Sequence, residues 1–126
     1  NDTYGHAAGD KALKAVGKLM LSKVRSSDFP FRYGGEEFMI IMPETSLDDA
    51  LKRAEEFRIA LGSIELEHEG RVFQVKTSIG LAVYPLHGKN FEEMLLTVDD
   101  ALYQAKHLGR DRVVIYGKED YSSNPL

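Results

Sequence analysis

The sequence contains no cysteine, which excludes both a disulfide framework and a metal site built on thiolates. It also has no apolar run near the roughly 20 residues that a membrane-spanning helix needs, and no secretory signal peptide is visible. Positive charge is not in excess either. The formal net charge is −4, so the composition gives no support for binding to a nucleic-acid polymer or an anionic membrane.

What is present is the composition of an ordinary folded domain. The chain has 126 residues, of which 43% are apolar and 29% charged, enough for one domain with its own core. The first residue is Asn1, and it opens directly into a turn-like stretch. We therefore expect the chain to be cut from a longer protein, with a domain over residues 1–116 and a polar tail over 117–126.

Three stretches have apolar residues at helical spacing. The predicted helices are Asp10–Arg25, Ser46–Leu61 and Phe91–Leu108. Ser46 and Asn90 have the short polar side chains of N-caps, and Gly109 is the C-cap candidate of the last helix.

Short runs rich in aromatic and branched residues predict the strands. They are Phe29–Tyr33, Phe38–Met42, Ile64–His68, Arg71–Val75, Val75–Val83 and Arg112–Tyr116. Glu69-Gly70 indicates a hairpin turn, and Gly80, inside a strand, indicates a close approach of another backbone segment. This order of helices and hairpins is typical of an α+β fold, with helices packed on a mainly antiparallel sheet.

Gly34-Gly35 separates the first two strands and is followed by two acids, Glu36 and Glu37. A two-residue loop of the primed type needs φ > 0, which glycine adopts without a Cβ clash, so we predict a tight hairpin with bare backbone at its tip. The predicted cross-strand pairs are Tyr33 with Glu36, Arg32 with Glu37 and Phe31 with Phe38. Adjacent carboxylates on such a turn can hold Mg²⁺, which takes oxygen ligands. The alternative is an ordinary hairpin turn.

Two further polar groups could bind a ligand. Asn1, His6 and Asp10 surround the start of the first helix, where an amide and a carboxylate together can read a base edge. Lys106 and Arg110 are one helical turn apart at the end of the last helix, where they can neutralise phosphates. The structural alternatives are turn residues with an acid in the first helical turn, and a cationic helix end.

Four sequence blocks occur in register: NDxxGHxxGD from position 1, RYGGEEF from 32, SIG from 78 and DDALYQAKxxGR from 99. Together they resemble the signature of GGDEF domains, the bacterial diguanylate cyclases, in the GGEEF form. The resemblance extends from Asn1 to about Tyr116. It implies the palm-like, ferredoxin-like fold of nucleotidyl cyclases and polymerases.

The resemblance also implies an activity: condensation of two GTP into cyclic di-GMP with release of pyrophosphate, by a homodimer that uses Mg²⁺ or Mn²⁺. By motif match, Asn1, His6 and Asp10 contact the substrate, with Asn1 and Asp10 on guanine, and Gly34 and Gly35 let the nucleotide approach the backbone. The resemblance further implies that Glu36 binds metal and accepts the proton of the attacking 3′-hydroxyl, that Glu37 supports the metal, and that Lys106 and Arg110 hold phosphates.

Arg25-Ser26-Ser27-Asp28 precedes the hairpin, and its structural interpretation is a helix end followed by an Asx turn. In GGDEF domains an RxxD motif at this place implies an inhibitory site for the product, cyclic di-GMP, since arginine suits phosphate or guanine contact. In some members a further arginine on the following helix completes the site. Lys52, Arg53 and Arg58 are open candidates here.

In GGDEF domains a first strand normally precedes the position of Asn1, and this sequence does not contain it. That strand supplies an aspartate and a backbone carbonyl as metal ligands and a lysine for the phosphates. We therefore expect this chain alone to be inactive or to be completed from outside. The enzyme would be the parent protein, cytoplasmic or membrane-tethered, with an upstream sensor or receiver domain. The alternatives are a non-catalytic receptor for GTP or cyclic di-GMP, against which the retained acidic hairpin counts, and a structural dimerisation fragment.

Overall fold

The computed structural model describes residues 5–35 and 37–117, with side chains from Ala7 onward. In chain order its elements are α1 (Gly5–Lys23), β1 (Phe29–Arg32), β2 (Phe38–Ile41), α2 (Leu47–Gly62), β3 (Glu65–His68), β4 (Arg71–Gln74), β5 (Ser78–Leu81), α3 (Phe91–His107) and β6 (Arg112–Ile115). This is the predicted order, and the α+β class is confirmed.

The strands pair in twos. β1 with β2 and β3 with β4 are antiparallel hairpins, whereas β5 and β6 are parallel. A parallel pair needs a long crossover connection, and α3 provides it. The mixed, mainly antiparallel pairing is confirmed, although within the described ranges the strands form three separate two-stranded sheets.

Some predicted boundaries are wrong by several residues. α1 begins at Gly5 rather than at Asp10, because the helical repeat already includes Ala8, which is buried on the same face as Ala12. Asp10 therefore lies beyond the first turn of α1, and that turn contains no acid. The strand predicted from Val75 begins only at Ser78, which pairs with the first residue of β6.

The chain divides into two compact units, each with its own core. The described part of the first unit comprises residues 5–35, 37–44 and 60–75. Its core joins Ala8 and Ala12 of α1 to Phe73 of β4. The two alanines are one helical turn apart and small, so the β3–β4 hairpin can approach α1 closely. On the surface of this contact the ammonium group of Lys11 donates to the carbonyl of Glu67 at 2.7 Å.

The described part of the second unit comprises residues 45–59 and 76–117, and α3 packs on β5 and β6 in it. Ala101, Ala105 and Val114 form a buried cluster there. At Gly80 of β5, an added Cβ atom would lie 2.3 Å from the backbone nitrogen of Leu102 in α3. The predicted close backbone approach at Gly80 is confirmed, and its partner is the helix.

Both predicted N-caps are present. The Ser46 hydroxyl accepts the N–H of Asp49 at 3.1 Å, and the Asn90 side-chain oxygen accepts the N–H of Glu93 at 2.9 Å. Each cap satisfies a backbone donor that the helix itself leaves without an acceptor.

None of the helices in the described part of the chain combines the length and the apolar character that a membrane span needs.

Candidate functional site

The β1–β2 hairpin has a different register from the one predicted. Arg32 pairs with Phe38 and Phe31 with Met39, so the predicted pairs of Arg32 with Glu37 and of Phe31 with Phe38 are wrong. The predicted pair of Tyr33 with Glu36 includes Glu36, which lies outside the described residues. The backbone N–H groups of Tyr33 and Gly34 both donate to the carbonyl of Glu37, at 2.8 and 3.2 Å. Ladder pairing therefore ends at Tyr33 and Glu37, and the connection is longer than two residues. A shift of one residue in register exchanges every cross-strand partner.

Gly34 and Gly35 are exposed, but neither has φ in the left-handed region between +20° and +160°. The primed two-residue turn is therefore wrong as well, and backbone conformation does not require glycine at these positions. Among the described residues, an added Cβ atom at Gly35 would have no neighbour within 4 Å, and at Gly34 the nearest atom would be the Glu37 carboxylate oxygen at 3.7 Å. What the two glycines provide is exposed backbone that carries no side chain of its own, so a ligand can approach it closely.

The Arg32 side chain binds the backbone carbonyls of the glycine loop. Its Nε donates to the carbonyls of Gly34 at 3.3 Å and Gly35 at 3.2 Å, and its Nη2 donates to the Gly35 carbonyl as well. A guanidinium carries five donors in a rigid fork, so one side chain can hold two successive carbonyls. The sequence prediction missed this role because it placed Arg32 opposite Glu37. The signal was an arginine two residues before a pair of glycines.

A cleft of about 290 Å³ lies between α1 and this hairpin in the first unit. Its lining residues are Asp10, Leu13, Lys14, Arg32 and Phe38. The structure thus brings Asp10, a predicted site residue, to the same cleft as the arginine that holds the glycine loop. Its chemistry combines one carboxylate, two cations and an apolar wall, a combination that suits a planar polar ligand carrying negative charge. Lys14 was not predicted, although its spacing of four from Asp10 places both on one helix face.

Some predicted site residues lie outside the described residues: Asn1, Glu36 and the side chain of His6. Glu37, the second acid of the predicted metal pair, is half-buried. Among the residues that the structure describes, no group of three or more acids and histidines could hold a metal ion. The metal site remains a prediction, and it depends on Glu36.

Lys106 and Arg110 belong to the second unit, at the carboxyl end of α3. The N–H of Arg110 donates to the carbonyl of Ala105 at 2.9 Å, and Gly109 between them has φ 123°. This is the long hydrogen bond of a Schellman ending, in which Leu108 is the C-cap residue and Gly109, the predicted C-cap, is the left-handed glycine that follows it. Arg110 is exposed and Lys106 half-buried, so the helix end presents cationic side chains where its own dipole is negative.

The Arg25–Asp28 segment is a turn held by its own aspartate. The N–H of Arg25 donates to the Asp28 carboxylate at 2.8 Å, and the N–H of Asp28 donates to the Arg25 carbonyl at 3.0 Å. Asp28 is only 8% exposed, whereas the Arg25 side chain is exposed. Asp28 therefore has a structural role in any case, and of the two residues that define the motif only Arg25 has an exposed side chain.

Of the three cations left open for the inhibitory site, Arg58 is already engaged. Its Nε lies 2.7 Å from the Glu55 carboxylate and its Nη1 lies 3.1 Å from the Asp111 carboxylate. The hydrogen bond to Glu55, with a smaller contribution from Asp111, raises the pKa of Arg58 against the opposing effect of burial. A guanidinium held by two carboxylates is a poor candidate for binding a phosphate, and for Lys52 and Arg53 a role in the inhibitory site stays a prediction.

Residues 1–112 match the family model described as "Diguanylate cyclase, GGDEF domain". The match covers most of the chain, so the chain belongs to this family. The hairpin with its two exposed glycines is the segment after which the family is named, and here it carries the GGEEF form.

Known proteins agree with this assignment. The chain is 41% identical over 116 residues to response regulator PleD of Caulobacter vibrioides, covering 90% of this chain and 26% of the relative. It is 39% identical over 117 residues to diguanylate cyclase DosC of Escherichia coli, covering 92% and 25%. The chain thus spans about a quarter of the length of these curated relatives.

The fold has a close match among solved structures. The GGDEF domain of DgcB from Caulobacter crescentus, in complex with c-di-GMP, superimposes with a TM-score of 0.83 at 30% identity, covering 94% of this chain and 70% of that chain. The chain therefore has the fold of GGDEF domains, and the palm-like α+β fold expected from the sequence blocks is confirmed.

Proposed function

We propose that this chain is the catalytic domain of a diguanylate cyclase, which condenses two GTP into cyclic di-GMP and releases two pyrophosphates. The observation that carries the proposal is the hairpin tip: two exposed glycines, held by Arg32 at the rim of a cleft that contains Asp10. The named activity of a relative of similar sequence, diguanylate cyclase DosC, supports it.

The chemistry assigns a task to each residue type. The 3′-hydroxyl of each GTP attacks the α-phosphorus of the other in line, the bond from that phosphorus to the oxygen that bridges to the β-phosphorus breaks, and each of the two pyrophosphates leaves with the bonding electrons. Glu36 takes the hydroxyl proton as general base. Asp10, with Asn1, accepts hydrogen bonds from the donors of the guanine edge, since a carboxylate is an acceptor only. Lys106 and Arg110 hold the phosphates, because phosphoryl transfer depends on positioning and charge neutralisation.

A divalent cation, Mg²⁺ or Mn²⁺, is part of the proposal. The donors available at the hairpin tip, the carboxylates of Glu36 and Glu37, are of the oxygen type that such cations prefer. When bound, the cation supplies positive charge next to the triphosphate.

The regulatory part of the proposal concerns product and partners. Cyclic di-GMP binds at Arg25 and inhibits, and catalysis takes place in a homodimer, because two GTP must face each other. One relative is named a response regulator, which supports an upstream receiver or sensor domain in the parent protein. We place the reaction in the cytoplasm, where GTP is available.

The test is turnover by the natural full-length protein with GTP and Mg²⁺. We expect one cyclic di-GMP for every two pyrophosphates, and a loss of product formation of at least about 10³-fold in Glu36→Gln, since a general base contributes about 10²–10⁴-fold and Glu36 also binds the metal. Asp10→Asn should weaken GTP binding in the same assay.

A full-length protein that binds GTP tightly but forms no product with either metal would overturn the cyclase assignment and support a receptor module. A Glu36→Gln variant that keeps wild-type turnover would remove Glu36 from the mechanism.

A further inference from the structure

The segment that follows α3 has an unusual backbone. Gly109, Arg110 and Asp111 are consecutive and all have positive φ, at 123°, 63° and 49°. Glycine at the first position is the ordinary helix ending, but the left-handed region is rarely occupied by residues with a Cβ atom. Two such residues in succession persist only when surrounding contacts hold them there.

Two arginines provide those contacts. The Nε of Arg112 donates to the carbonyl of Arg110 at 2.9 Å. From α2, the Nη1 of Arg58 donates to the Asp111 carboxylate at 3.1 Å and, at 3.5 Å, to the Asp111 carbonyl. Both ends of the left-handed pair are therefore held by side chains from outside it.

Arg58 is itself fixed in place. Its Nε donates to the Glu55 carboxylate at 2.7 Å, one helical turn back on α2, and the Arg58 side chain is 20% exposed. The two carboxylates therefore bind different nitrogens of the guanidinium. The hydrogen bond from Nε to Glu55 fixes the side-chain rotamer, and Nη1 binds Asp111. Arg58 thus connects α2 to the loop that carries Arg110.

Resting on the function proposed above, we infer that Arg58 is a positioning residue for GTP binding. It holds Asp111, and so keeps Arg110 in the left-handed conformation that directs its exposed side chain towards the phosphates beside Lys106. Arg58 does not contact the nucleotide. Its effect on affinity passes through the backbone of Arg110.

The test is a double-mutant cycle on the full-length protein, with the Kd for GTP as readout. Arg58→Gln should weaken GTP binding about five- to tenfold, within the range of coupling between neighbouring residues. In an Arg110→Ala background the same substitution should leave the Kd unchanged, because the group that it positions is gone. The kcat at saturating GTP should change less than the Kd.

Companion variants separate positioning from loss of structure. Asp111→Asn keeps an acceptor for Arg58 and a residue that tolerates positive φ, so it should affect the Kd less than Asp111→Ala. Arg58→Lys should recover part of the affinity. Arg71→Gln, which makes the same change as Arg58→Gln at an exposed arginine of β4, is the control and should leave the Kd unchanged.

A second readout needs no nucleotide. The amide of Arg110, which donates to the Ala105 carbonyl, should exchange with solvent faster in Arg58→Gln than in the wild type. Unchanged Arg110 exchange, or equal effects of Arg58→Gln with and without Arg110, would overturn the positioning role. If the wild type formed no cyclic di-GMP, the proposed function alone would fail, because the exchange measurement would still decide the role of Arg58.

Discussion

At Gly35 an added Cβ atom would meet no atom of the described part of the chain within 4 Å, and the backbone is not left-handed. Gly35→Ala should therefore leave the free energy of unfolding within about 0.5 kcal/mol of the wild type, as for other surface changes. If the nucleotide lies against this backbone, the added methyl group should raise the Kd for GTP about tenfold, which corresponds to about 1.4 kcal/mol. Calorimetric titration with GTP and chemical denaturation measure the two effects separately. Unchanged affinity would place the nucleotide elsewhere.

Gly80 is the opposite case, because its missing side chain is structural. A methyl group there would lie 2.3 Å from the Leu102 nitrogen and 2.7 Å from the Val98 carbonyl oxygen, and backbone atoms cannot turn aside as a side chain can. We expect Gly80→Ala to lower the free energy of unfolding by about 3 kcal/mol or more, at the upper end for overpacked cores. Urea denaturation measures it.

The control for Gly80 is Gly62→Ala, at the last residue of α2, where an added Cβ atom has no neighbour within 4 Å. It should be neutral, or stabilising by up to about 1 kcal/mol. Equal destabilisation by both alanines would mean that the close contact at Gly80 relaxes at little cost.

At the scale of single elements, the turn between α1 and β1 distinguishes two functions of one motif. Asp28→Ala removes the buried acceptor of the Arg25 N–H and should lower the free energy of unfolding by about 1–3 kcal/mol. Arg25→Ala should leave the fold intact and raise the cyclic di-GMP concentration needed for half-inhibition by at least about tenfold. Thermal unfolding and product-inhibition curves measure the two effects. Full inhibition of Arg25→Ala would mean that cyclic di-GMP acts at another site.

The elements could be predicted because each has a local signal. Helical spacing, two N-cap side chains and the Glu69-Gly70 turn, whose residues have φ of 52° and 80°, give type, order and approximate position. Register had no such signal. A pair of glycines fits either a two-residue turn or a longer loop, and the choice depends on contacts that the local sequence does not contain. The pairs around Phe31 and Phe38 were therefore wrong although both strands were right.

The residues of the candidate site likewise fall into those that the sequence predicts and those that it does not. Asp10 was predicted because its residue type suggests a task, and the structure places it in a cleft. Arg32 was not, because a long side chain with five donors can reach carbonyls or acids, and which it reaches depends on the register. The hydrogen bond from Arg58 to Asp111 could not be predicted from the sequence, because the two residues are 53 positions apart in the chain.

At the scale of the whole molecule, the proposed reaction needs two copies of the domain. Specific activity of the full-length protein should therefore fall on dilution through the dimer dissociation constant, because monomers carry one GTP each. Initial rates over a series of protein concentrations, with sedimentation at the same concentrations, measure this. A specific activity that stays constant while the protein becomes monomeric would contradict catalysis between two domains.

The parallel pairing of β5 with β6 has a consequence for how the chain folds. Ser78 can pair with Arg112 only when the intervening segment, which includes all of α3, has closed a long loop. The two antiparallel hairpins, in contrast, join strands that are close in the sequence. Since closing a long loop costs more entropy than closing a short one, this pairing should form late in folding. In pulse-labelled hydrogen exchange during refolding, amides of β3 and β4 should gain protection before those of β6. Simultaneous protection would instead indicate one concerted step.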